Sequence, residues 1–154
     1  MKDILLLTDK VRNTLILGES HFREFKSAWE GRPDNKKPRT TKSICADIGE
    51  ALVSFANADG GAILIGVEDD GTITGIPHSD EDIQTMLNSI HTHIYHNQQI
   101  PLNNANKLVL DNKTILYFSV NKGTTMIYQL PDGRCVRRKD KSTMPASVDQ
   151  IQFE

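Results

Sequence analysis

Five acids stand out for what carboxylates can do together. Glu19 and Glu24 bracket the stretch "GESHFREFK" (18–26), and Glu68, Asp69 and Asp70 close "AILIGVEDDG" (62–71). Three carboxylates converging on one point bind a hard divalent cation such as Mg²⁺ or Mn²⁺. A cation held in this way activates water and stabilises charge building on a phosphodiester. The gap of five residues puts Glu19 and Glu24 on opposite faces of an ideal strand, so convergence requires a bend between them. Asp-Asp-Gly is equally ordinary turn chemistry, so the acids either assemble a site or close a solvated turn.

Positive charge is grouped in two runs. "RPDNKKPRTTK" (32–42) and "RCVRRKDK" (134–141) hold ten of the eighteen Lys and Arg residues, in a chain of net charge -2. On an extended strand Arg134 and Arg138 share one face, and Arg137 and Lys139 the other. With Lys141 and a loop carrying Lys36, Lys37, Arg39 and Lys42, they could line a groove for a phosphate backbone. The other reading is two solvated charge runs. His91, His93 and His96 invite a zinc reading, but on a helix only His93 and His96 share a face. No cysteine follows at a zinc-ligand interval, so a polar helix face is the better account.

Gly60-Gly61 tests a nucleotide-binding reading and fails it. A phosphate-cradling loop precedes a helix and ends in Lys-Ser/Thr, whereas these glycines follow a helix and precede a strand. Helix termination and close backbone approach account for the pair.

These residues need elements to position them. The pattern predicts a short helix over 2–13, an extended segment over 14–26 and a loop over 30–41. A helix capped by Thr41 or Ser43 carries the stripe Ile44, Ile48, Leu52, Phe55 to about Ala58. A buried strand (62–67), a turn and a second strand (72–76) form a hairpin. Ser79 caps a helix over 80–97 with the stripe Ile83, Met86, Leu87, Ile90, Ile94. A strand–turn–strand follows over 107–120, then a hairpin over 125–139 around Pro131-Asp132-Gly133 and a polar tail. The class is α+β, a mixed β-sheet with helices packed mainly on one side, and 154 residues suit a single domain, 1–154. Cys45 and Cys135 match no metal spacing and read as reduced thiols. No apolar run reaches the roughly 20 residues of a membrane span, and the expected location is the cytoplasm.

The stretches "GESHFREFK", "IGEALVSFANADGGAILIGVEDDGTITGI" (48–76) and "YQLPDGRCVRRKDKSTMPAS" (128–147) together resemble the Schlafen-type AlbA-like DNA-binding domain family. The shared pattern is E-S-x-x-x-E-F-K, then A-F-A-N-x-x-G-G leading into G-V-x-D-x-G, then R-x-x-x-S-T near the end. It spans about 15–147, with the helix 2–13 ahead of it. The resemblance implies an α+β lobe and a nucleic-acid role, on DNA or RNA, in a transcription regulator of bacterial type. In many bacterial members such a domain opens a longer regulator, which implies a downstream domain outside this chain or a stand-alone protein. In vertebrate members two lobes form a horseshoe, and some cleave transfer RNA with three acids. Glu19, Glu24 and Asp69 match those acids, with Glu68 where the family has another Asp. The resemblance therefore implies three alternatives. The first is a nucleic-acid-binding domain using Lys36, Lys37, Arg39, Lys42, Arg134, Arg137, Arg138, Lys139 and Lys141. The second is an endoribonuclease holding Mg²⁺ or Mn²⁺ on Glu19, Glu24 and Asp69. The third is an interaction or nucleotide-sensing lobe of an ATPase-like regulator. It also implies a homodimer, which would supply the second lobe.

Overall fold

The computed structural model describes residues 2–95 and 98–147. Along the chain run α1 (Lys2–Leu17), β1 (Arg23–Lys26), β2 (Trp29–Arg32), β3 (Asn35–Pro38), α2 (Thr41–Ala56) and β4 (Gly61–Ile65). Then come α3 (Asp80–Leu87), a 3₁₀ turn (Asn88–His91), β5 (Leu102–Leu110), β6 (Lys113–Val120), β7 (Val136–Lys139) and β8 (Ser142–Pro145).

β4 is apolar at every position, so both its faces must be covered. It lies inside a four-stranded sheet of order β1-β4-β6-β5, parallel to β1 and antiparallel to β6. Ile63 and Ile65 pack under Ile44, Ile48, Leu52 and Phe55, the predicted stripe of α2. Leu64 points the other way, to Phe25, Tyr117 and Val11 of α1. The sheet is thus mixed, with α2 and α3 on one face and α1 across the other. Among the described residues no helix is long and apolar enough to cross a membrane.

Several elements differ from the pattern-based expectation. α1 continues to Leu17, because Leu15 still packs beside Val11 on the sheet. The 30–41 segment is a hairpin rather than a loop, β2 pairing with β3 from Trp29↔Pro38 to Arg32↔Asn35. Pro33 sits in its turn and Pro38 at its end, where proline does not break a ladder. Thr40, not Thr41 or Ser43, caps α2, its hydroxyl accepting from Ser43 N at 3.1 Å. Only one bridge, Val67↔Ile73, forms where a second strand was expected. The Gly66 carbonyl instead accepts from both Thr74 N and Gly75 N, curling the chain. α3 stops at Leu87 and passes into the 3₁₀ turn; His96 lies outside the described residues. Ser79 does cap α3, accepting from Asp82 N at 3.1 Å. β5 and β6 join through Asp111-Asn112, both at positive φ (51 and 63°), as the Asp-Asn turn predicts. Cys45 is buried and Cys135 half-buried, both as free thiols.

The expected 125–139 hairpin gives way to a different pairing. β7 pairs with β8, in what reads as a polar tail. The 124–130 segment is instead held by the buried Asn57 at the end of α2. Its amide donates to Tyr128 O (2.8 Å) and Val136 O (3.0 Å), and its Oδ1 accepts from Tyr128 N (2.8 Å). Gly60 and Gly61 follow at once. Gly60 has φ of 80° and donates to Phe55 O, and a Cβ on Gly61 would lie 2.4 Å from the Phe55 ring. The pair ends the helix and lets the chain pass beneath it.

Each buried group stripped of its partner costs about 1–3 kcal/mol, so Asn57→Ala is expected to lower unfolding free energy by more than about 2 kcal/mol. Urea denaturation of the variant checks this; a midpoint unchanged from the parent would remove Asn57 as the clamp.

Candidate nucleic-acid interface

The β7–β8 hairpin sorts its basic residues by face. Val136 and Arg138 point inward, and Arg137 and Lys139 point the other way, the alternation that period two requires. Asp140, at φ of 53°, turns the chain, and Lys141 stands exposed beside it.

Arg138 is among the largest fully buried side chains, at 1% exposure. Its Nη1 donates to Glu24 Oε1 at 3.0 Å. Nη2 donates to two carbonyls, Ser20 O at 2.8 Å and Arg23 O at 3.1 Å. The guanidinium lies 5.0 Å from the centroid of the Phe55 ring, within cation–π range. Those carbonyls are offered by a turn in which Ser20 and Arg23 exchange backbone hydrogen bonds. This is the bend that the spacing of Glu19 and Glu24 demands. Beyond it Glu19 Oε2 accepts from Phe25 N at 3.2 Å.

Burial pushes the Glu24 carboxyl above its ordinary pKa; Lys26 and Arg138 hold it back, and Glu19 adds to the rise. Asp69 is exposed at the tip of the turn after β4. Glu68 accepts from the Thr74 hydroxyl at 2.6 Å, and hydrogen bonds from the side chain and then the backbone N of Thr72 hold the Asp70 carboxyl below the usual range. Among the described residues no three His, Cys, Asp or Glu side chains are grouped to hold a metal ion. The donor set for Mg²⁺ or Mn²⁺ is therefore not assembled on Glu19, Glu24 and Asp69, and no chemical step is derived through a metal.

The other basic residues divide into engaged and free. Arg39 is half-buried, donating to Ser27 O (2.9 Å), Ser43 Oγ (2.8 Å) and Asp47 Oδ2 (2.5 Å). Arg134 precedes β7 and pairs with Asp132 at 2.6 Å. Arg137 gives Nε to Asn57 O at 3.3 Å, with no hydrogen bond from its Nη atoms among the described residues. Lys36, Lys37, Lys42, Lys139 and Lys141 are exposed and lack ion pairs among the described residues. Three clefts each carry cations of one basic run. Arg137, Lys139 and His21 line a cleft of ≈ 380 Å³ on one flank of the hairpin. Lys141 and Lys26 line another of ≈ 330 Å³ with Glu24, Asp47 and Glu50. Lys36 borders a third, with Trp29 and Lys113. His21, Lys26 and Lys113 escape a reading of charge runs because each comes from a different segment.

A family model for Schlafen, AlbA_2 matches residues 19–147. The chain belongs to that family. The match begins at Glu19, takes in Glu24 and Asn57, and closes after the β7–β8 hairpin, so it spans both ends of the Arg138 anchor. No curated protein matches the chain. Among solved structures, the chain is similar to the DIP2311 protein from Corynebacterium diphtheriae, with a TM-score of 0.65 and 18% identity. That likeness covers 95% of this chain and 27% of the other, so it shows the fold of this Schlafen, AlbA_2 chain against about a quarter of a longer protein.

Breaking a buried ion pair from one side costs about 3–5 kcal/mol, and Arg138→Met is expected to fall in that range by urea denaturation at neutral pH. Glu24 binds its proton more tightly folded than unfolded. Its contribution to stability is therefore full below the ordinary 4.5 and is lost as pH rises through the raised value. Whatever the offset from losing the carboxylate, the stability of Glu24→Gln relative to the parent should shift in the variant's favour as pH rises through this range, since the variant has no carboxyl to ionise there. A Gln variant that loses ground to the parent with rising pH contradicts this sign.

Proposed function

We propose that this chain is a nucleic-acid-binding domain that grips the phosphate backbone with the β7–β8 hairpin. One observation carries the reading: Arg138 is sunk into the fold, and it anchors a hairpin whose outward cations carry no ion pair among the described residues. Arg137 and Lys139 line the same cleft, beside His21 and Asp140. Lys141 stands exposed at the turn, and Lys36, Lys37 and Lys42 supply charge elsewhere on the same lobe. Family membership supports the reading, since the resemblance that carries it is to nucleic-acid-binding domains. Phosphate contacts of this kind supply affinity that is indifferent to sequence and steeply dependent on salt.

The nuclease alternative has no observation of its own, because Glu24 is bound to Arg138. The test of the binding reading separates structure from contact. The doubly reversed Lys139→Glu/Lys141→Glu variant should fold like the parent and bind duplex DNA and RNA more weakly at low salt. For every phosphate the variant no longer neutralises, the dependence of log K on log salt should flatten by about 0.9. Arg138→Glu should act through the thermal unfolding curve instead, because it puts a second carboxylate beside Glu24. Fluorescence anisotropy at low salt reads the outcome, and a parent protein that binds neither DNA nor RNA there would end the proposal.

A further inference from the structure

Trp29 is the chain's single tryptophan, and it belongs to neither hydrophobic core. The core aromatics Phe25, Phe55, Tyr117 and Phe118 are all fully buried, whereas Trp29 is half-buried at the start of β2. Its indole Nε1–H donates to Thr74 O at 3.4 Å, which pins the edge of the ring to the segment after β4. The pairs Trp29↔Pro38 and Gly31↔Lys36 put Trp29 and Lys36 on one face of the hairpin, and Lys37, opposite Glu30, on the other. Gly31, next on the Trp29 face, adds no side chain there.

Around the indole the chain leaves an open cleft of ≈ 400 Å³, bordered by Lys36, Glu68, Thr74 and Lys113. Lys113 is held in place, its Nζ donating to Ile73 O at 3.1 Å. Glu68 has one oxygen on the Thr74 hydroxyl. Two lysines against one acid leave the cleft positive around an aromatic ring that the core does not use.

We propose that Trp29 is a stacking platform for one unpaired base of a single-stranded nucleic acid, with Lys36 and Lys113 on the flanking phosphates. The inference rests on the nucleic-acid-binding reading and adds to it a site on a different cleft and a preference for strand form. Every base presents a π-face, so stacking of this kind tolerates any sequence. In a duplex those faces are already stacked on neighbouring pairs, and the indole has nothing to meet.

Because Trp29 is the single tryptophan, its fluorescence reports this cleft alone. The full chain is titrated at low salt with short fluorescein-labelled oligodeoxyadenylate, oligoriboadenylate and a mixed-sequence duplex, following tryptophan emission and label anisotropy together. Both single strands should quench Trp29 with the midpoint of the anisotropy change, and the duplex should bind without quenching. Trp29→Ala should weaken single-strand binding by about fivefold or more, with Trp29→Phe retaining most of the affinity. Joint Lys36→Ala/Lys113→Ala replacement should flatten the single-strand salt dependence by about 0.7 for every phosphate left without its lysine. Single strands that bind without quenching, or a duplex that quenches equally, would overturn the stacking site and leave the hairpin reading standing. Absence of binding by any of the three would remove that reading, and this inference with it. The quenching arm uses the parent protein, so it holds even if Trp29→Ala fails to fold.

Discussion

A buried guanidinium is the constraint on which the rest of this structure turns. An arginine cannot shed its charge on burial, so the cost is offset only as far as neighbours answer its donors. The buried Nε of Arg138 has no partner among the described residues. Arg138 finds a carboxylate on β1, two carbonyls in the turn before it and an aromatic face on α2. Those partners come from segments more than a hundred residues upstream and from the central helix, so the contact closes the chain onto itself. The turn at Ser20–Arg23 is shaped to present its carbonyls, and the same turn brings Glu19 back to Phe25 N. Glu24 faces the cost of this arrangement. Its carboxyl leaves water to meet Arg138, and the rise in its pKa says that desolvation outweighs the attraction.

The second constraint is the doubly covered strand β4. An apolar run of this kind has to sit inside a sheet with helices on both faces, and α2 has to end close above it. The Gly60-Gly61 step makes that approach possible, since the Phe55 ring and the Phe22 carbonyl occupy the space a Cβ on Gly61 would need. Asn57, just before, lends its amide to a segment that has no ladder of its own and so brings β7 beside α2. Arg138 and Asn57 therefore fix the hairpin from below and from its start. A cation on such a hairpin keeps its place when a polyanion approaches, and less ordering entropy opposes binding.

Much of this was legible in the residues, and the parts that were not share a cause. The stripe of α2, the apolar run of β4 and the Asp-Asn turn between β5 and β6 are local signals, and they place those elements correctly. The alternation of Arg137 and Lys139 against Arg138 is local too, and it holds in β7. What sequence does not carry is the identity of distant partners. β8 is "STMP", without apolar alternation, and only its pairing to β7 makes it a strand. β2 and β3 contain a glycine, a proline and four charges, so nothing in their pattern separates a hairpin from a loop. Glu24 reads as a metal ligand from its motif because its partner, Arg138, lies at the other end of the chain. The role of Asn57 is hidden for the same reason.

The division between arginine and lysine in the two basic runs follows from how each carries its charge. Four of the five arginines, Arg39, Arg134, Arg137 and Arg138, donate to acceptors of the protein itself, Arg134 in an exposed pair with Asp132. The five lysines at Lys36, Lys37, Lys42, Lys139 and Lys141 all remain exposed. A planar fork suits rigid, directional acceptors, whereas a compact and strongly hydrated ammonium loses more by leaving water. The outer surface is therefore furnished mainly with point charges. Point charges hold phosphates well, and of the forks that could read guanine edges those of Arg39 and Arg138 are committed to the fold. An indole that stacks on any base has the same indifference to sequence. On the proposed reading, selectivity in this lobe comes from the form of the strand, paired or unpaired, and from where its phosphates fall against the hairpin.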